Sequence, residues 1–306
     1  MSLDVALVSC RHLPEPDPDA APLAAALTAA GLSSQVMAWD DPQVDWAAAR
    51  LTVLRSCWNY PRHANAFTAW AEATAGVTAL LNPLPVLRWN IHKHYLLDLE
   101  EHGIPITPTV LVPKNSDTTL AEIRHERGWQ DVVVKPAISA ASYRTVLVTP
   151  DQSAAGESHL RGLVSQEDAL VQPYLPAVEA YGERALIWIQ GQLTHAIRKT
   201  PRLSGQDEAV SSAAVPIARE EAELARRVMA ATQTIIASPG TGTTTQDWLL
   251  YARIDVAPGP DGSPMLMELE LMEPSLFFTQ GPVALERFVA GIRDHLRRRS
   301  THALHE

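Results

Sequence analysis

LLYARIDVAPGPDGSPMLMELEL, residues 249–271, reads as two alternating runs joined by a Pro/Gly/Asp-rich turn, the pattern of a β-hairpin. Alternation puts Arg253 and Asp255 on one face of the first strand, and Glu268 and Glu270 on one face of the second. Three carboxylates then converge across an antiparallel pair, where like charges repel strongly at low dielectric. A hard divalent cation neutralises such a set, and oxygen-only ligands select Mg²⁺ or Mn²⁺. A solvent-exposed face would carry the same acids as merely solvated groups. The continuation ELMEPSLFF (270–278) favours the buried alternative, because Glu273-Pro274-Ser275 leads directly into an apolar stretch.

Upstream, ERALIWIQGQLTHAIRKTP (183–201) is a second hairpin turning at Gln190-Gly191, with Arg198, Lys199 and Arg202 near its end. A helix is predicted over about 218–234, a small-residue loop over 238–245 and a final helix over about 283–298. Before the hairpins, TPTVLV (107–112), DVVVKP (131–136) and TVLVT (145–149) alternate with helical text to give a second, βαββ-like lobe. One helix is predicted from about 90 to 102, closed by Gly103 and Pro105, after a proline-punctuated connection, LNPLPVLRWN (81–90). The first 85 residues alternate strands at 4–10, 33–39 and 50–56 with helices at 22–32 and 67–75, a small α/β unit with a mostly parallel sheet.

The cations of interest sit at element ends. The chain holds four lysines (Lys93, Lys114, Lys135 and Lys199) against 21 arginines. Lys135 closes a buried-looking strand and precedes AISAASYRT (137–145), a small-residue run containing Ser139 whose backbone N–H groups can close over phosphates. This is not a Walker A loop. Lys93, near a helix start, can reach the same phosphate; a solvated helix lysine is the plain alternative. QPYLPAV (172–178) reads as an extended, proline-limited connection whose free backbone groups suit an adenine edge. Glu179 or Glu183 can accept from ribose hydroxyls.

Composition narrows the class. The chain has 306 residues, 46% hydrophobic and 20% charged, with a net charge of −10. That charge argues against nucleic acid, and no apolar run has the length of a membrane span. Cys10 and Cys57 form neither a metal motif nor a disulfide framework, and the start carries no basic leader, so a cytoplasmic location is expected. Cys57 reads as a buried structural thiol, not a nucleophile.

The order Lys93, Lys135 with its loop, QPYLPAV, and Asp255 followed by MELELMEPS resembles the ATP-grasp superfamily, near glutathione synthetase, over about residues 80–280. The resemblance implies an α/β fold (α+β lobes) with an N-terminal parallel-sheet pre-ATP-grasp domain at 1–88. It also implies two lobes gripping ATP, a central one at 89–171 and a C-terminal one at 172–306 carrying the metal and substrate site. By the same likeness, Lys93, Lys135 and Ser139 bind phosphates, while Gln172, Tyr174 and Leu175 line the adenine site and Glu179 or Glu183 the ribose. Asp255, Glu268 and Glu270 hold Mg²⁺ (or Mn²⁺), with Glu270 standing where relatives carry Asn. Lys199, Arg198 and Arg253 are the expected catalytic cations, and Arg202 and Ser275 grip the substrate.

LRSCWNYPRH (54–63), LRWNIHKHYLLDLEEHGIP (87–105), VVKPAISA (133–140) and LMELELMEPSLFF (266–278) look like the narrower branch that contains D-cycloserine synthetase. That enzyme closes O-ureido-D-serine into a ring. RLSGQDEAVSS (202–212) departs from the Gly-Asp-Phe-Arg-type text of some branch relatives, which suggests a specialised acceptor. The expected activity is therefore an ATP- and Mg²⁺-dependent cyclo-ligase acting on a small amino-acid-like molecule, with a homo-oligomer left open. An intermolecular carboxylate–amine ligase and a non-catalytic ATP-binding regulatory module are the alternatives.

Overall fold

Short apolar runs at the N-terminus form two central strands (Leu3–Ser9 and Ala49–Ser56) that are largely buried on both faces, the environment of a parallel sheet. In the computed structural model, which describes residues 3–200, 209–237 and 249–302, strands β1 (Leu3–Ser9), β2 (Ser34–Ala38), β3 (Ala49–Ser56) and β4 (Ala79–Leu81) pair in parallel, in the order β2-β1-β3-β4. Helices α1 (Ala20–Ala29) and α2 (Ala64–Ala75) connect them.

The helix predicted over 90–102 begins later, and a separate helix occupies the proline-punctuated connection before it. Helix α3 (Leu84–Asn90) starts with prolines where they are tolerated, ahead of the first turn's hydrogen bonds, and α4 (Tyr95–Glu101) follows after a break. In that break the Lys93 N–H donates to the Ala137 carbonyl at 2.8 Å, so it leaves the helical ladder and ties to the segment after the next lobe's strand. Flanking polar groups fix both ends. The Asn90 amide bonds the Leu269 carbonyl and the Leu271 N–H at 2.8 and 2.9 Å, and the Tyr95 hydroxyl accepts from the Leu269 N–H at 3.0 Å.

The central lobe is an antiparallel sheet, β5-β8-β6-β7, from Val110–Val112, Ala169–Pro173, Val132–Pro136 and Val146–Val148. It is covered by α5 (Leu120–Arg127), opened by a Thr119–Glu122 capping box, and α6 (Ser153–Val164). QPYLPAV is extended only as far as Leu175; helix α7 (Pro176–Tyr181) follows, again with proline in its first turn.

The third sheet, β10-β9-β11-β12, uses Gln192–Lys199, Glu183–Ile189, Tyr251–Pro258 and Pro264–Glu270, all antiparallel. Gln190 and Gly191 both take positive φ (45° and 75°), as a two-residue hairpin twisting with its strands requires. Helices α8 (Arg219–Ile236) and α9 (Pro282–His302) pack on this sheet.

Candidate active site

The hairpin register sets the site. Arg253 pairs with Glu270 and Asp255 with Glu268 across β11 and β12, so four charged side chains share one face. Neighbouring strands add Glu183 (β9) and Lys199 (β10), which are themselves register partners. Gly182 permits this close start: at φ 84°, a Cβ there would lie 2.5 Å from the Lys199 carbonyl oxygen. Opposite, β6 brings Lys135, β8 brings Gln172, and the α3–α4 break brings Lys93. The enclosed cleft measures about 1300 Å³ with its mouth included.

The carboxylates are neighbours, but they do not converge on one point as the sequence suggests. Glu268 pairs with Lys93, and Glu270 with Arg253. Asp255 takes the Lys199 ammonium at 2.6 Å and the Arg253 guanidinium at 2.9 Å, while Glu183 lies 3.3 Å from Lys199. Among the described residues no group of three or more His, Cys, Asp or Glu is arranged to hold a metal ion. The reason is electrostatic: without an external cation, the chain's own lysines and arginine neutralise the acids.

Protonation follows the same charges. Burial pushes the Asp255 carboxyl up, but Arg253 and Lys199 outweigh it and its pKa falls; Lys93 and Lys135 do the same for Glu268. Burial dominates at Glu270, raised to about 8 with Asp255, Glu268 and Glu273 adding to it, and at Glu273, raised to about 7. At these two acids burial and the neighbouring carboxylates outweigh the pull of Lys93 and Arg253. Lys135 is the complementary case. It has no carboxylate within ion-pair distance among the described residues, and burial lowers its pKa, with Lys93 adding to the effect.

The loop after Lys135 enters the cleft through Ser139, Ala140, Ala141 and Ser142. Lys93 donates to the Ser139 carbonyl at 2.8 Å, and Ala141, Ser142 and Arg144 all take positive φ (49°, 57°, 52°). Consecutive left-handed residues turn backbone N–H groups to one side, a concavity suited to anions. Gln172, Tyr174, Leu175, Glu183 and Ser275 also line the cleft.

Two expected residues lie elsewhere. Arg198 neighbours Lys199 on β10, so alternation turns it to the other face, where its guanidinium sits 5.3 Å from the Tyr181 ring centroid. Glu179 is exposed on α7 and accepts the Tyr174 hydroxyl at 2.8 Å. Arg202 and the 238–245 loop lie outside the described residues.

The sequence reading passed over Trp58 and Tyr60. They follow β3, and the Trp58 indole N–H donates to the Glu273 carbonyl at 2.8 Å. The signal available was a polar-aromatic string, CWNY, at the carboxyl end of a parallel strand, where open α/β sheets place ligands. Cys57 is fully buried 3.8 Å from the Val8 carbonyl, and burial raises its thiol pKa well above the usual value.

Known proteins resemble the chain in sequence and fold. Residues 5–82 match the family model of the D-cycloserine synthetase DcsG N-terminal domain. Over 291 residues the chain is 33% identical to the cycloserine biosynthesis protein DcsG of Streptomyces lavendulae, covering 92% of this chain and 95% of that protein. It belongs to the D-cycloserine synthetase family. The D-cycloserine synthetase crystal structure superposes with a TM-score of 0.85 at 30% identity, over 95% of this chain and 99% of that one. A RimK domain ATP-grasp protein from Sphaerobacter thermophilus gives 0.63 at 18% identity, over 94% and 97%, which shows the shared fold. Membership of the D-cycloserine synthetase family makes the chain a synthetase, and its fold is that of ATP-grasp proteins. No described helix is long and apolar enough to cross a membrane.

Proposed function

We propose that this chain binds ATP between its central and C-terminal sheets, phosphorylates a small amino-acid-like carboxylate, and lets a nitrogen of the same molecule displace the phosphate. The substrate we assign is O-ureido-D-serine and the product D-cycloserine. One observation carries the reading: a row of acids on β9, β11 and β12 shares a single cleft with Lys135, which has no carboxylate partner among the described residues, and with the small-residue loop that follows it.

In this reading Lys135, Lys93 and the 137–145 backbone hold the phosphates, and Gln172, Tyr174 and Leu175 contact the base, with Glu183 toward the ribose. The substrate carboxylate oxygen attacks the γ-phosphorus, ADP leaves, and an acyl phosphate forms. The oxygen-bound ureido nitrogen then attacks the acyl carbon, phosphate leaves, and the nitrogen gives up its proton, after which water cleaves the carbamoyl group from that nitrogen as carbon dioxide and ammonia. Positioning and charge stabilisation do most of the work, and holding both reacting ends on one molecule adds the advantage of intramolecular attack. Lys199 and Arg253 stabilise the transferring group, and Ser275 contacts the substrate. Asp255, Glu268 and Glu270 would hold Mg²⁺. Their oxygen-only chemistry and the raised pKa of Glu270 fit a hard cation, provided Lys93, Lys199 and Arg253 release them. When bound, the ion supplies neutralisation of phosphate charge.

The test is purified protein with ATP, Mg²⁺ and O-ureido-D-serine, read by phosphate release and product mass. One phosphate per cyclised product is expected. Masses showing the carboxylate joined to an added amine would replace the cyclase by an intermolecular ligase. ATP binding without phosphate release across a broad panel of amino-acid-like carboxylates would remove catalysis from the reading.

A further inference from the structure

The strand acids of the cleft all meet cations of the chain: Glu183 and Asp255 meet Lys199, Glu268 meets Lys93, and Glu270 meets Arg253. Glu273, just past β12, differs. Only 6% exposed, it lines the cleft with no lysine or arginine within ion-pair distance among the described residues. Its surroundings are aromatic. Against the larger effect of burial, the buried Tyr60 acts on its carboxylate to lower its pKa, and the Trp58 indole N–H holds its backbone carbonyl at 2.8 Å, which makes Trp58 part of the cleft wall. The platform is rigid: Asn59, between the two rings, bonds Asp40 at 2.8 Å and Trp39 at 2.7 Å.

An acid left unpaired in a cleft otherwise rich in internal ion pairs awaits a cation from outside. A divalent metal wants several oxygen donors, and the side chains Trp58 and Tyr60 supply at most one hydroxyl. A phosphate is repelled by the carboxylate. An ammonium suits both features, forming a charge-assisted hydrogen bond to the carboxylate and a favourable contact with aromatic rings. We propose that Glu273, flanked by Trp58 and Tyr60, is the subsite that binds the α-ammonium of the amino-acid substrate. This rests on the functional reading above, because it requires a substrate bearing both a carboxylate and an amine. The subsite then sets orientation. It anchors one end of the zwitterion beside the N-terminal sheet, so that the carboxylate points toward Lys199, Arg253 and the phosphate-binding loop.

The test compares O-ureido-D-serine with its analogue carrying a hydroxyl in place of the α-amine, titrated into protein holding ADP and Mg²⁺. Wild type should favour the amine, and Glu273→Gln should weaken amine binding by about tenfold or more. ATP affinity of the same variant should be unchanged, which also reports its fold. Glu273→Asp, which keeps the charge, should retain part of the preference. Absence of an amine preference in wild type, or its survival in Glu273→Gln, overturns the proposal. So does a variant that loses kcat at constant KM, since that marks a proton-transfer role. If no carboxylate elicits phosphate release yet amine-selective binding disappears in Glu273→Gln, the subsite stands and the ligase reading falls.

Discussion

Lys135 shows at one residue how function opposes stability. Its ammonium ends β6 half-buried, without the carboxylate partner that Lys93 finds in Glu268. Burial lowers its pKa and Lys93 pushes the same way, against the more distant Glu268 and Glu183. The charge therefore costs the empty protein free energy and is recovered only when a polyanion arrives. Lys135→Met should raise the melting temperature at neutral pH, by the equivalent of about 1 kcal/mol. Phosphate release should fall by about 100-fold or more. The sign with pH is fixed: the folded pKa lies below the unfolded one, so the wild-type penalty is full below the folded pKa and shrinks as pH rises toward 10.5. Thermal melts near neutrality and in mild alkali check this. A variant less stable than wild type, or one that still turns over, contradicts the role.

At the scale of elements, the segment after β12 is held from another sheet's connection. Asp19, at the start of α1, accepts the N–H groups of Leu276, Phe277 and Phe278 at 2.5, 3.2 and 2.8 Å, and pairs with buried Arg55 at 3.3 Å. The Arg55 guanidinium lies 5.6–5.8 Å from the ring centroids of Tyr251, Phe278 and Phe288, and two of its nitrogens make no hydrogen bond. Removing the negative charge strands that guanidinium. Asp19→Asn should cost about 3–5 kcal/mol in denaturant unfolding. Ser275 and Glu273 should lose position, seen as weaker substrate binding at unchanged ATP affinity; a loss below 1 kcal/mol, on the order of a surface change, would deny Asp19 this role. Nothing local in the sequence announces that contact, because Asp19 and Phe278 are 259 residues apart. What could be read was periodic: the alternation of RIDV and MELEL gave the shared face of Arg253, Asp255, Glu268 and Glu270, and the Gln190-Gly191 turn gave the first hairpin. The break at Lys93 was hidden because RWNIHKHYLLDL scores as one helix, and only a tertiary hydrogen bond to Ala137 interrupts it. Arg198 was misplaced although strand alternation alone separates it from Lys199.

For the whole molecule, the apolar clusters cut across the order of the sheets in sequence. One core joins Val5, Leu7, Leu51 and Val53 of the N-terminal sheet to Ile187 and Tyr251 of the C-terminal sheet and to Phe288, Ile292 and Leu296 of α9. Residues 1–88 thus bury their apolar face against the last part of the chain, and the N-terminal region we propose as a domain shares its stability with the C-terminal lobe. The central sheet differs: its core, from Val112 to Val171, draws only on its own strands with α5, α6 and their flanks. Cores that share no side chains can open separately. Native-state hydrogen exchange under mild denaturant should therefore find amides of β1, β3, β9 and α9 exchanging as one cooperative unit, and those of β6 and β8 as another with its own denaturant dependence. Because the proposed nucleotide site takes Lys135 from the second unit and Asp255 from the first, a non-hydrolysable ATP analogue with Mg²⁺ should raise protection in both and narrow the gap between them. A single exchange unit in the free protein would mean the cleft is walled by one body. Protection gained in only one unit would mean the nucleotide does not bridge them.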